Sequence, residues 1–491
     1  MKLRARLGWT LGVVFLAAPL IFPPPAGMDP VQWRVAGLGL LMAVWWITEV
    51  LPFAITALLP LVFLPLMGAG TIQSAAAPFA DPIIFLFMGG FMIAQAMQRW
   101  NLHRRLALVI ILRTGTRPPN LVAGFMLATA FLSMWVSNTA VAVMMLPIAL
   151  SVIQVVQGPR EIPGVGAASP VDPDTTAFGI ALLLGVAYAA SIGGVATLIG
   201  TPPNALLAGF MAQEFSLDIG FGRWMLIGIP VTLILLPITW FLLTRILFPL
   251  GDGAGDGSEA AEASSRSLEA LRRELGSISS AEIRVAVVFV VTALAWISRP
   301  LLNTWIPGLS DAGIAMAATL VLCILPAGGG KEGPLLDWQW ARGIPWGILL
   351  LFGGGLSLAG AISQTGLAAW IGEALTAAGG IPFVLLLLLV AAVIVFLTEL
   401  TSNTATAAAF LPILAALAVA LGQDPLLFTV IAALAASCAF MLPVATPPNA
   451  VVFGSGQIRM QEMVRAGFIL NVLVIVLAPT IAYVAITLLF G

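Results

Sequence analysis

Long apolar runs, separated by short polar breaks, set the pattern of this chain. They fall near residues 7–22, 31–48, 53–68, 82–98, 104–112, 119–156, 176–213, 224–248, 284–298, 312–327, 344–365, 382–421, 427–456 and 464–490. A membrane-spanning helix needs about 20 residues at a rise of about 1.5 Å each, so most runs predict one span. The runs 119–156 and 382–421 are too long for that, and each is apolar throughout except for a polar tripeptide near its middle. Each predicts a helical hairpin, with two full spans as the alternative, since both return the chain to the same side and the limbs 119–136 and 140–156 are long enough to span nearly everything. Residues 82–112 read as one long element that crosses and then follows the interface.

One polar insert, Gly251 to Ile283, divides the chain near its centre. It is rich in Gly, Asp, Ser, Ala and Glu and then carries Leu268, Leu271 and Leu275 at helical spacing, the pattern of a flexible linker followed by an amphipathic helix. The expected organisation is an N-terminal span (1–30), a first repeat (31–250), a cytoplasmic linker (251–283) and a second repeat (284–491). The expected fold is an all-α polytopic membrane protein of about eleven transmembrane helices, plus two re-entrant helical hairpins, in two inverted repeats.

Composition agrees with lipid as the solvent. The chain is 60% hydrophobic and 9% charged, with a mean hydropathy of +1.06, where a soluble domain carries about 25% charged residues. No basic patch exists to neutralise phosphates, so no nucleic-acid partner is expected. Met1 to Phe22 has the basic start and apolar run of a signal peptide, but Pro23-Pro24-Pro25 makes a poor cleavage site, so it reads as a retained span. With the N-terminus inside and eleven crossings, only Arg34, Arg223 and Arg299 of the 21 Lys and Arg residues fall outside. That bias orients the chain in a cell membrane with its C-terminus outside.

Two halves of the sequence match. Phe87-Met88-Gly89-Gly90 and Phe352-Gly353-Gly354-Gly355 lie 265 residues apart, as do Ser137-Asn138-Thr139-Ala140 and Ser402-Asn403-Thr404-Ala405, and Leu146-Pro147 and Leu411-Pro412. Thr201-Pro202-Pro203-Asn204 and Thr446-Pro447-Pro448-Asn449 lie 245 residues apart, the difference falling where the first half carries a polar loop near 158–175. Five crossings separate equivalent points, and an odd number inverts the second copy. Inverted repeats with broken helices mark secondary transporters.

The repeated polar inserts define the candidate chemistry. Ser-Asn-Thr at the middle of a hairpin exposes helix termini, whose free N–H groups attract anions. Its side-chain oxygens suit a hard cation such as sodium, and its hydroxyls and amides can donate to a carboxylate or sulfate. In Thr-Pro-Pro-Asn each proline lacks an N–H and clashes with the carbonyl four residues back. Hairpin 119–156 is thus paired with a broken helix at 176–213, and hairpin 382–421 with one at 427–456. Pro202-Pro203 should free the carbonyls of Leu198 and Ile199, and Pro447-Pro448 those of Pro443 and Val444.

Few other groups carry chemistry. Asp81, Glu49, Glu373 and Glu399 are the acidic residues in or near spans. Glu49 reads as a helix-end or scaffold group. Glu399, three residues before Ser402, either favours a nearby cation or braces the hairpin. No basic residue lies mid-span, so a dianion here needs helix termini and bound cations to balance it, which argues for sodium coupling. His103, beside Arg104 and Arg105, reads as a solvated interface residue, and Cys323 and Cys438 sit alone in apolar runs. These offer neither a nucleophile–base pair nor a metal cluster, so no enzyme is expected, and a repeated closed polar site argues for a carrier over a channel.

The twin Ser-Asn-Thr and Thr-Pro-Pro-Asn motifs, Trp45-Trp46-Ile47-Thr48-Glu49-Val50-Leu51-Pro52 and Thr398-Glu399-Leu400-Thr401-Ser402-Asn403-Thr404 resemble the divalent anion/sodium symporter family over nearly the whole chain. The resemblance implies a homodimer and elevator-type movement of a transport domain. It also implies a first sodium site from Ser133, Ser137, Asn138 and the Gly200 carbonyl, and a second from Thr398, Thr401, Asn403 and the Ala445 carbonyl. A small dianion would meet Ser137, Asn138, Thr139, Thr201, Ser402, Asn403, Thr404 and Thr446, with Pro202 and Pro447 lining the pocket. Sodium-driven uptake of a C4-dicarboxylate is the expectation. A sodium-independent exchanger and a sulfate or citrate carrier of the same family are the alternatives.

Overall fold

The computed structural model describes residues 3–157, 173–251, 259–376 and 382–489. The polar loop at 158–172 and the start of the linker at 252–258 lie outside them. In chain order the helices of the first half are α1 (Leu3–Ile21), α2 (Pro30–Thr48), α3 (Phe53–Thr56), α4 (Leu59–Leu66), α5 (Ile72–Ala76), α6 (Pro82–Arg99), α7 (Leu102–Thr114), α8 (Pro118–Ser133), α9 (Asn138–Gln157), α10 (Pro173–Val195), α11 (Pro202–Phe215) and α12 (Phe221–Phe241). The second half continues with α13 (Glu259–Glu274), α14 (Ser280–Leu302), α15 (Asp311–Ile324), α16 (Trp338–Ala341), α17 (Trp346–Gln364), α18 (Leu367–Thr376), α19 (Phe383–Thr398), α20 (Asn403–Ala420), α21 (Pro425–Ser437), α22 (Pro447–Phe453) and α23 (Met460–Leu489). Among the described residues, strands are confined to an antiparallel pair, β1 (Pro326–Gly328) and β2 (Lys331–Pro334).

Nine segments among the described residues are long and apolar enough to cross a membrane, and six shorter apolar helices accompany them. The chain is an all-α polytopic membrane protein. Its outer helices are apolar on both faces. On α14, Val285, Phe289, Thr292 and Trp296 are buried, while Val287, Val291, Leu294 and Ile297 are exposed at the same helical spacing. A face of that kind is solvated by lipid.

The core is built around α10. Every residue of its apolar stretch 178–195 is buried, and it packs on α8, α9, α12 and α22. Small residues allow the approach: a Cβ at Gly193 would sit 2.2 Å from the Ala130 carbonyl oxygen. The matched glycines of α6 and α17 serve the same end. A Cβ at Gly89 would meet Ala315, and one at Gly354 would meet the Ala57 carbonyl at 2.0 Å.

Three expectations need correction. The stretch 82–112 is two helices: the chain turns at Asn101, whose φ of 57° is left-handed, and α7 leaves α6 there. The run 53–68 is interrupted, because α3 ends at Thr56 and α4 starts only at Leu59. His103 is not freely solvated. It is half-buried, with Nδ1 3.1 Å from the Met97 carbonyl, so it ties α7 back to α6.

The linker helix α13 docks on α7 and α9. Leu268 is fully buried, and Leu271 and Leu275 are half-buried against the core. Beside it, Arg105 of α7 bonds Glu282 of α14 at 2.7 Å and donates to the carbonyls of Leu275 and Gly276. Glu282 also closes a capping box with Ser279 at the start of α14.

Candidate functional site

Both Ser-Asn-Thr motifs sit where a helix begins. Ser137 precedes α9, with Asn138 and Thr139 in its first turn, and the Ser137 hydroxyl accepts from the Ala140 N–H at 3.4 Å. Ser402 is the N-cap of α20, with Asn403 and Thr404 in its first turn. Both Thr-Pro-Pro-Asn motifs also open helices: Thr201 precedes α11 and Thr446 precedes α22, each in an extended conformation, with Pro at the first helical position. Proline is at home there because the first N–H groups of a helix have no intrahelical partner. Four helix N-termini therefore carry the four motifs, and each presents the positive end of a helix dipole. Free N–H groups come from the first turns of α9 and α20, because α11 and α22 each open on two prolines, which have none, and the Asn204 and Asn449 N–H groups that follow are bonded to Thr201 and Thr446.

The motif helices pack crosswise. α9 lies against α10 and α22, and α20 against α21 and α11. Thus each Ser-Asn-Thr helix touches the Thr-Pro-Pro-Asn helix of the other half. α21 also packs on α11, and the hydroxyl of Ser437, its last residue, donates to Thr201 Oγ1 at 3.4 Å.

Between Val195 and Pro202, and between Ser437 and Pro447, the chain leaves the α-helix inside the protein. Such backbone must find partners, and here asparagines supply them. Asn204 is fully buried and its amide nitrogen donates to the carbonyls of Gly194, Val195 and Thr197, the last at 2.8 Å. Asn449 is fully buried and donates to Ala439 and Leu442. Gly194 and Thr197 lie 245 residues before Ala439 and Leu442, so the same staple occurs twice. The sequence motif included these asparagines but gave them no task.

The proposed cation ligands are brought together unevenly. The Asn138 amide is oriented by its neighbours: with its nitrogen toward them it donates to the carbonyls of Gly200 (3.3 Å) and Ala190 (3.1 Å). Ser133, the last residue of α8, is fully buried. In the second set the Thr398 hydroxyl donates to Asn403 Oδ1 at 2.8 Å and reaches the Ala436 carbonyl at 3.1 Å. Thr401 turns into its own helix pair, 2.6 Å from the Thr406 hydroxyl and bonded to the Leu397 carbonyl. Ala445 is buried and its N–H donates to Leu442.

Coverage of the two halves is unequal. Thr139 and Pro447 are exposed, whereas their counterparts Thr404 and Pro202 are buried and half-buried. No Lys, Arg or His occurs within 130–140, 190–206, 397–407 or 436–450, and Glu399 is the one charged residue in those stretches. Glu399 is buried and accepts from the backbone N–H groups of Phe440, Met441 and Leu442 and from Asn471. Of the two roles open to it from sequence, bracing is the one these bonds perform. Asn471, far along the chain in the apolar run of α23, gave no sequence signal. Glu49 is the exposed left-handed C-cap of α2, Asp81 caps α6 at the Ile83 N–H, and Glu373 is exposed on α18.

Comparison with known proteins places this architecture. The family described as "Sodium:sulfate symporter transmembrane region" matches residues 5–490. The chain is 41% identical over 489 residues to the sodium-dependent dicarboxylate transporter SdcS of Staphylococcus aureus (strain USA300), covering 99% of this chain and 92% of that protein. The SdcS protein of the bovine strain RF122/ET3-1 is 40% identical over the same length. Among solved structures, the Alcanivorax borkumensis YdaH transporter, described as having an unusual topology, aligns with a TM-score of 0.57 over 99% of this chain and 98% of its own, at 14% identity, a likeness of fold alone. These relatives are transporters, not enzymes. A match over almost the entire chain makes the protein a member of the sodium:sulfate symporter family, the divalent anion/sodium symporters.

Proposed function

We propose that the protein is a sodium-coupled symporter that imports a small divalent anion, a C4-dicarboxylate such as succinate or malate. One observation carries the reading: four motif-bearing helix N-termini in a site without Lys, Arg or His. Helix N-termini supply only partial positive charge, so a dianion needs co-bound cations. The nearest sources of cation ligands are the oxygens already gathered beside each motif. Turning the Asn138 amide over would direct Oδ1 at the Gly200 and Ala190 carbonyls, an all-oxygen set suited to sodium. The SdcS relatives, with sodium dependence and dicarboxylates in their name, favour the same reading.

In this reading Ser133, Ser137, Asn138 and the Gly200 carbonyl hold one sodium, and Thr398, Thr401, Asn403 and the Ala445 carbonyl a second. The carboxylates meet Asn138, Thr139, Asn403, Thr404, Thr201 and Thr446, with Ser137, Ser402, Pro202 and Pro447 around them. The two halves act as inverted repeats in a homodimer, and the site moves by an elevator-type mechanism with the N-terminus cytoplasmic and the C-terminus outside. The unequal cover of Thr139 and Thr404 fits a carrier open on one side at a time. The test is uptake by proteoliposomes over a panel of succinate, malate, citrate and sulfate, with sodium then replaced by potassium. Succinate or malate uptake that collapses in potassium is expected. Uptake that continues unchanged identifies an exchanger.

A further inference from the structure

We infer that Glu399 makes the two cation sites unequal: it is a positioning residue that holds the unwound segment 438–446, and its charge makes the second site the tighter one for sodium. This rests on the sodium-coupled reading above.

The geometry is that of an ionised carboxylate in a nest of donors. Oε1 accepts from the N–H of Phe440 (2.7 Å) and Met441 (2.9 Å) and from the Asn471 amide (2.7 Å), and Oε2 accepts from the N–H of Leu442 (2.9 Å). All four bonds are donated to it, which matches the acceptor-only character and the roughly four lone-pair sites of a carboxylate. Successive backbone N–H groups form an anion-binding concavity. Glu399 is 3% exposed, and no Arg or Lys lies in its salt-bridging range among the described residues. Its charge is thus spread over neutral donors and is not cancelled by a cationic side chain. Such a charge within a membrane is costly and marks function.

The first half makes the same link without charge. Glu399 and Met134 are 265 residues apart, and Leu442 and Thr197 are 245 apart. In the first half the Thr197 hydroxyl donates to the Met134 carbonyl, and in the second the Leu442 N–H donates to Glu399. Each half therefore ties its Ser-Asn-Thr helix pair to its unwound segment at one equivalent position. Only the second tie brings a formal negative charge, and it does so between Thr398 and Thr401 and on the segment that ends in Ala445. A fixed anion one residue from Thr398 and two from Thr401 along the chain favours a cation nearby and has no counterpart at the first site, where Met134 stands at the equivalent position.

The experiment uses the full-length protein. Sodium binding without substrate and sodium half-saturation of uptake are measured for wild type, Glu399→Gln and Glu399→Asp, together with hydrogen exchange of the Phe440–Leu442 amides. Expected for Gln is a sodium half-saturation raised about tenfold, the scale of a lost charge-assisted bond, with faster exchange of those amides. Asp, which keeps the charge, should recover most of the affinity. Unchanged sodium affinity in Gln overturns the proposal, as does equal loss in Gln and Asp, which would leave a staple without an electrostatic role. Should Gln fail to fold, Asn471→Leu removes one donor and keeps the charge: faster exchange with sodium affinity within about twofold is expected for a tie held by charge, and unchanged exchange overturns it. A wild type that binds no sodium defeats the transport reading instead, while exchange in the variants still decides whether Glu399 holds the segment.

Discussion

Phe87 and Phe352 occupy equivalent positions in the two halves and touch each other, with ring centroids 4.9 Å apart and planes at 78°. Both are fully buried, on α6 and α17. Equivalent residues meet only where the relationship between the halves passes through their contact. Phe87→Ala should therefore cost about 3–5 kcal/mol, and the double variant with Phe352→Ala should cost less than the sum of the singles, because each ring is the other's neighbour. Thermal melting in detergent checks both.

Asn138→Ala and Asn403→Ala remove a side-chain oxygen from each proposed cation set while leaving the helix N-termini in place. Each should abolish sodium-dependent uptake without preventing membrane insertion. Full activity in both would sink the site assignment.

The staples Asn204 and Asn449 predict a loss of stability as well as transport. Asn204→Ala leaves three buried carbonyls without that donor and Asn449→Ala leaves two. An unsatisfied buried group costs about 1–3 kcal/mol, so both variants should melt early, and Asn204→Ala earlier. Melting points equal to wild type would count against the staple.

Arg105 and Glu282 form a nearly buried pair, with side chains 15% and 5% exposed. Arg105→Ala strands the Glu282 charge and should cost about 3 kcal/mol or more. Replacing both, with Glu282→Gln, should restore part of it. Chemical denaturation of the purified protein reads the difference.

His103 gives a pH prediction. Burial pushes its imidazole below the usual value; the bond to the Met97 carbonyl opposes this, and the Arg104 charge adds to the lowering. The folded state therefore binds fewer protons than the unfolded chain at pH values below about 6.5. Stability should rise as pH increases toward that value and then level off. His103→Gln should flatten the acid side of a melting-temperature profile, and an unchanged acid slope would refute this role.

The apolar runs and the spacing of their breaks by themselves determined that the chain is a helical membrane protein, because only helices and closed barrels satisfy backbone hydrogen bonds in lipid, and continuous runs of about 20 apolar residues, not alternating segments of about ten, fit the helix. The helix starts at Pro202 and Pro447 were equally legible, since proline acts locally on the carbonyls before it. The bend at Asn101 was not legible: it depends on one residue adopting a left-handed conformation inside an unbroken apolar pattern. Nor were the partners of Glu399, Asn204 and His103, which depend on backbone atoms brought close by packing. From sequence Glu399 had two roles, and only the folded chain carries the N–H groups of residues 440–442 and Asn471 of α23 to its carboxylate. Local pattern determines where a helix begins and which face is apolar, but the partner of a buried polar group is whatever tertiary packing brings within about 3 Å of it.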